Sequence, residues 1–239
     1  QWNYYVSAFS GRLPEGVEIY SKYAREGFGE LCAVSGINAA VMLVISAFTK
    51  RRNSDRHSPV MRVFIGLLAV STLILVVTAL SKMALYINAY GLTRLRVYAS
   101  WFMILIAAGF LIALIKEIAP RFNAVCALLA VFVLLFGALA LSDPDRIIAE
   151  YNVDRYIAGT LGLDVETLSN EYSDSAIPAL VRLRTALEDR PDTENFKKII
   201  DHRLDVWQRT NGDPAKNIFC ETLPRIRARR AVQGMLTED

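Results

Sequence analysis

"FNAVCALLAVFVLLFGALALS", Phe122–Ser142, runs for 21 residues without a charged side chain. At about 1.5 Å of rise per residue, a helix of that length reaches roughly 30 Å, the thickness of a bilayer's hydrocarbon core. A backbone crossing lipid has no water to bond, so it must satisfy its N–H and C=O groups internally, and a single segment can do that only as an α-helix. Directly after it comes "SDPDR", Ser142–Arg146, and charge becomes frequent. The boundary between these two textures divides the chain into two kinds of structure.

Three similar windows lie upstream. Residues 31–49, 63–81 and 97–115 are each 19 residues without Asp, Glu, Lys or Arg. Four such windows in succession are foreign to a water-soluble core, where charged positions interrupt long helices. The expected fold is therefore all-α: a polytopic helical membrane protein with four transmembrane helices, 31–49, 63–81, 97–115 and 122–142, and a small helical extramembrane C-terminal domain over 143–239. On these boundaries the spans hold no ionisable group, which argues against a proton-coupled carrier within this stretch. Asn38 in the first span is expected to face a neighbouring helix, where its amide finds a partner. The small pairs Gly36 with Ala40 and Gly109 with Ala113 allow close helix approach.

The charge balance follows the same division. The chain has 239 residues, 53% of them hydrophobic, and a formal charge of +3. Residues 1–142 carry +7 and residues 143–239 carry −4. No concentrated basic surface points to nucleic acid. The densest basic connector is "KRRNSDRHSPVMR", Lys50–Arg62, with five Lys/Arg and one acid. The positive-inside rule places it in the cytoplasm, which puts residues 82–96 and the C-terminal domain on the far side.

"ALYINAYGLTRLRVYASW", Ala84–Trp101, interrupts the apolar runs. It is expected to be a turn at the membrane–water boundary. Tyr86, Tyr90, Tyr98 and Trp101 form an interfacial belt, and Gly91 lets the chain reverse. A sharper reading makes Thr93, Arg94 and Arg96 an anion- or headgroup-recognising rim. Upstream, "YSKYAREGF" (20–28) sets Tyr20, Tyr23 and Phe28 opposite Lys22 and Arg25, so residues 1–30 are expected to be an interfacial amphipathic lead-in.

"VSAFSGRLPEGVEIYSKYAREGFGELCAVSGIN", "ALYINAYGLTRLRVYASW" and "IAEYNVDRYIAGTLGLDVETLSNEYSDSAIPALVRL" together resemble the C-terminal part of a bacterial membrane family. It is domain of unknown function 4173, within the wider 4153 group. The resemblance covers most of residues 1–187. It rests on the ordered set "YAREGF", "YGLTRLRVY", "YNVDRY" and "SDSAIPAL". It implies a multi-pass protein of the bacterial cell membrane. The chain opens on Gln1 rather than Met, and further spans are expected upstream. The resemblance brings no catalytic residue, substrate or cofactor.

In the polar domain, Ser142 or Asp143 with Pro144 predicts a helix start, and apolar spacing carries that helix to Gly159. Asp164 caps a short helix, and Ser173 or Asp174 opens another. The clearest amphipathic helix begins near Asp192 or Thr193 and ends before "NG" at 211–212. Its Phe196, Ile200 and Trp207 are the candidate face for a protein partner. A last helix begins near Pro224 and carries Arg225, Arg227, Arg229 and Arg230, read as a solvated face or a headgroup contact. No sheet is expected.

Motifs for chemistry are missing. There is no HExxH, GxSxG, P-loop or GxGxxG. His57 and His202 lack ligands at metal spacing, and Cys32, Cys126 and Cys220 are widely separated, so no metal, cofactor or catalytic residue is expected. Asp201 and Asp205 fit a salt-bridged helix surface better than an acid/base pair. The leading expectation is a non-enzymatic envelope scaffold or sensor whose outer helical domain binds a protein partner. The alternative is a component of a transporter or lipid-handling system, with an outer anion site at the 86–98 turn.

Overall fold

A computed structural model describes residues 20–48, 59–119, 121–188, 193–211 and 222–238, with side chains given for all of these but 20–27, 46–48 and 236–238. Every element among them is helical: α1 (Tyr20–Phe48), α2 (Pro59–Tyr90), α3 (Arg94–Ile118), α4 (Ala124–Leu141), α5 (Pro144–Ile157), α6 (Val165–Asn170), a 3₁₀ turn (Asp174–Ala176), α7 (Ile177–Ala186), α8 (Glu194–Asn211) and α9 (Leu223–Glu238). Four of them, α1 to α4, are long and apolar enough to cross a membrane. The protein is an all-α, multi-pass membrane protein.

The chain forms two compact units. The first holds α1, α2 as far as Ala89, and α3 from Leu95 together with α4. Its small interior comprises Leu31 and Met42 from α1, Ile65, Ala69, Val76 and Ala79 from α2, and Met103, Ile106 and Phe110 from α3. Its outer surface is apolar as well: Leu43, Leu67, Ile74 and Leu134 are all exposed, and α4 has no buried residue. A water-soluble protein rarely leaves an apolar surface of that extent uncovered; lipid supplies the missing solvent.

Polar contacts inside this unit join helices. Asn38 Nδ2 donates to Thr72 Oγ1 at 2.9 Å, so the amide of the first span has the neighbour expected of it. The Thr72 hydroxyl in turn donates to the Leu68 carbonyl at 2.7 Å. Trp101 Nε1 donates to the Leu135 carbonyl on α4 at 3.0 Å. Arg62 reaches the Glu117 carbonyl at 2.8 Å and its carboxylate at 3.7 Å, tying the start of α2 to the end of α3. Of the small pairs, Gly109 faces the Leu128 side chain, whereas Gly36 has open space around it.

Two expectations need revision. α2 does not stop at Ser81: it spans 32 residues and continues to Tyr90. One charge does not end a helix, and "KMALYINAY" contains neither Gly nor Pro to break it. The connector to α3 is therefore only Gly91–Thr93. As a result Lys82 lies inside a span-forming helix and is only 1% exposed, within electrostatic reach of Glu30 on α1. Lys82 directly follows the uncharged window 63–81, which itself holds no ionisable group. Likewise, α1 is continuous from Tyr20 to Phe48, so the helical part of the lead-in and the first span are one helix. Residues 1–19, and the basic connector from Lys50 through Ser58 with His57, lie outside the described residues.

The second unit comprises Tyr90–Arg94 and residues 142–239. It buries apolar side chains in the ordinary way: Ile148 and Val153 of α5, Leu168 of α6, Leu180 and Leu183 of α7, Leu204 of α8 and Val232 of α9. Its caps follow the sequence in part. Asp164 accepts the Thr167 amide at 3.0 Å and its hydroxyl at 2.7 Å, and these bonds hold its carboxyl below the usual range. Asp143 precedes Pro144 at the start of α5 with φ of 51°, and its side chain makes no capping bond. Ion pairs then join the helices: Arg182 with Asp154, Arg184 with Asp201 at 2.8 Å, and Arg225 with Asp174 at 3.1 Å.

Candidate functional site

The turn that ends α2 is built into the polar unit. Gly91 has φ of +78°, a left-handed conformation that glycine adopts without steric cost. This reversal presents both main-chain polar groups of Leu92 to α5. The Leu92 N–H donates to Asn152 Oδ1 at 2.8 Å, and Asn152 Nδ2 donates to the Leu92 carbonyl at 2.8 Å. The amide side chain thus pairs with the turn as a neighbouring backbone would. The fit is close, since a Cβ on Gly91 would lie 2.7 Å from Asn152 Oδ1 and 2.9 Å from a Leu161 methyl.

Two residues on, Arg94 lays its guanidinium fork on Asp145. Nε and one terminal nitrogen each donate to a different carboxylate oxygen at 2.6 Å. The Arg94 guanidinium also lies 5.1 Å from the centre of the Tyr172 ring. The Ser173 amide donates to the same carboxylate at 3.1 Å. Burial pushes the Asp145 carboxyl up, but the hydrogen bonds from Arg94 and Ser173 outweigh it and hold the group below its ordinary value. Asp145 sits in the first turn of α5, where the helix dipole also favours a carboxylate.

The predicted anion rim is therefore divided. Arg94 spends its fork on an internal carboxylate. Arg96 belongs to the first unit and lies over the Tyr86 ring, 4.2 Å from its centre. Thr93 is partly buried in the turn. Tyr90 and Tyr98 are exposed, as a belt requires, whereas Trp101 is tied to α4.

The predicted partner face needs correction. Ile200 is 0% exposed and Trp207 is 2% exposed, so both belong to the domain's own core; only Phe196, at 6.4 Å from the Tyr156 ring, is partly accessible. An amphipathic stripe reads the same whether it covers a core or awaits a partner, and here α7 and α6 already cover it. Asp201 and Asp205 pair with Arg184 and Arg209, as a salt-bridged surface would. Of the four arginines in α9, Arg225 pairs with Asp174 and Arg229 donates to the Asn211 carbonyl, while Arg227 and Arg230 are exposed.

Each unit also has its own cleft. In the membrane unit, a volume of about 430 Å³ is lined by apolar residues including Met42, Leu105, Gly109, Phe110 and Leu128. In the polar unit, about 480 Å³ lies between α6 and α8. Among the described residues, no three His, Cys, Asp or Glu side chains are grouped so as to hold a metal ion.

The family model described as domain of unknown function DUF4153 matches residues 1–183. The chain belongs to the DUF4153 family. No curated protein and no solved structure matches it. The DUF4153 match ends within α7, so it takes in the four membrane-spanning helices, the turn and both of its anchors, Asp145 and Asn152, while α8 and α9 lie beyond it.

Neither anchor stands out in the sequence. Asn152 is one letter of "YNVDRY", and Asp145 is part of a helix start. Their partners are 60 and 51 positions away, a separation no periodicity reports. The usable local signal was Gly91 beside Arg94, a reversal carrying a cation that needs an acceptor.

Proposed function

We propose that this DUF4153 protein is a non-enzymatic membrane scaffold or sensor whose helical domain is the recognition unit and lies outside the cytoplasm. The observation that carries the reading is the construction of the domain around Tyr90–Arg94. A tethered module would be complete without that pentapeptide. Here the pentapeptide is continuous with α2 at one end and α3 at the other, so a partner bound to the domain acts on chain that leads directly into two membrane-spanning helices. The sidedness rests on the five basic residues of Lys50–Arg62.

The test is crosslinking in native membranes of the full chain and of a chain ending at Leu141. The expected outcome is a discrete adduct that requires residues 142–239, with both chains equally inserted. An adduct pattern unchanged by the deletion would overturn the reading. Sidedness is read by labelling Ser54→Cys and Glu194→Cys with a membrane-impermeant maleimide, the native cysteines having been replaced by alanine. Only the second is expected to react in intact cells.

A second reading, a transport component, is favoured by Lys82. An ionisable side chain enclosed in a membrane bundle is characteristic of ion and substrate paths. Proteoliposomes carrying a pH gradient distinguish the two. A flux abolished by Lys82→Met would favour transport, and no flux above that of protein-free liposomes is expected of a scaffold.

A further inference from the structure

The cleft between α6 and α8 is lined by more basic than acidic side chains. From α6 it receives Glu166 and Asn170, one turn apart. From α8 it receives Lys198, His202 and Arg203, with Ile199 and Val206 as its apolar floor. The acids of α8 do not serve this cleft. Glu194 goes to Lys197, Asp201 to Arg184 and Asp205 to Arg209. Arg203 is half-buried, and its Nε is shut off from solvent with no hydrogen-bond partner among the described residues. Partial burial restricts the Arg203 side chain, so less freedom is lost when an anion binds at the cleft.

We propose that this cleft binds a phosphate group. Arg203 supplies a directed fork and Lys198 a mobile point charge, a combination suited to a tetrahedral oxyanion carrying between one and two negative charges. His202 adds a third donor from the same side. A carboxylate would present only two oxygens to these three donors. Glu166 and the Asn170 amide line the opposite wall, where they accept hydrogen bonds from hydroxyl or ammonium groups on the rest of the ligand. The phosphate is that of a lipid headgroup or of a soluble phosphate ester. This inference does not depend on the domain's binding a protein partner.

The test uses the full chain in phosphate-free maltoside micelles, titrated calorimetrically with inorganic phosphate. Saturable binding is expected. Arg203→Gln and Lys198→Gln should each weaken it about tenfold, the loss of one charge-assisted hydrogen bond. Glu166→Gln should tighten it, because a like charge is removed, an effect that damage to the fold would not produce. Arg227→Gln, on an exposed position of α9, should leave it unchanged. Repeating the titration in nanodiscs containing phosphatidylglycerol identifies the source: loss of the phosphate signal marks the headgroup as ligand, and an unchanged signal marks a soluble ester. Absence of saturable binding in maltoside micelles would overturn the proposal. So would binding that Arg203→Gln, Lys198→Gln and Glu166→Gln all leave unchanged.

Discussion

Gly91 and Asn152 meet at a close contact in the polar domain, and single substitutions there have separable outcomes. Gly91→Ala places a methyl group against the Asn152 amide in a left-handed conformation, with a Cβ contact of 2.7 Å. It should cost about 1–3 kcal/mol and lower the midpoint of chemical unfolding of the domain. Asn152→Leu removes both hydrogen bonds to Leu92 while roughly keeping side-chain volume. It should cost a similar amount, about 1–3 kcal/mol, because two partly buried main-chain groups lose their partners. Asp145→Asn tests the electrostatic part of the same contact. The folded-state carboxyl sits below its ordinary value of 3.8. Its contribution is therefore complete above the unfolded-state value and disappears as pH falls through the lowered folded-state value. Urea midpoints of wild type and Asp145→Asn should differ at pH 6 to 7 and converge on strong acidification. The gap should be about 1 kcal/mol, since the Arg94 side chain is 43% exposed and screened by solvent.

At the scale of elements, the extension of α2 is the feature to test. In a loop, amides 83–90 would exchange hydrogen rapidly; in a continuous helix they are bonded four residues back. Hydrogen exchange of the protein in nanodiscs should show Met83–Tyr90 protected and faster exchange confined to the Gly91–Thr93 break. The pairing of α1 with α2 through Asn38 and Thr72 is a smaller effect. Asn38→Leu should cost about 0.6–1.7 kcal/mol in a steric-trap unfolding measurement, the range for interhelical hydrogen bonds in bilayers. The Thr72 hydroxyl keeps its bond to Leu68, so no donor is stranded. Helix existence was legible in these elements because lipid imposes a length and a composition. Helix ends were not, because Lys82 is tolerated wherever neighbouring helices enclose it. The polar helices show the same division. Asp164 announced its own helix start, whereas Asp143 occupies an N-cap position without capping, a consequence of its left-handed backbone next to Pro144.

For the whole molecule, the two units obey opposite solvent rules. The membrane unit exposes Leu43, Leu134 and Leu141, whereas the polar unit hides Ile148, Leu183 and Trp207. Extraction should therefore require detergent, and the protein should sediment with membranes after high-salt washing. Appearance in the wash would contradict the four-helix reading. The sequence by itself determined the four membrane-spanning helices found among the described residues, the boundary at Ser142 and the helical character of the polar domain, since hydrophobic length and periodicity are local properties that each segment carries alone. Only the tertiary structure decided that Tyr90–Arg94 belongs to the polar domain, that Asp145 and Asn152 hold it, and that Ile200 and Trp207 are core. It alone brings Lys198, His202 and Arg203 to face Glu166. Those outcomes depend on which distant groups meet, and a hydrogen-bonding group is compatible with many partners until the packing of the helices selects one.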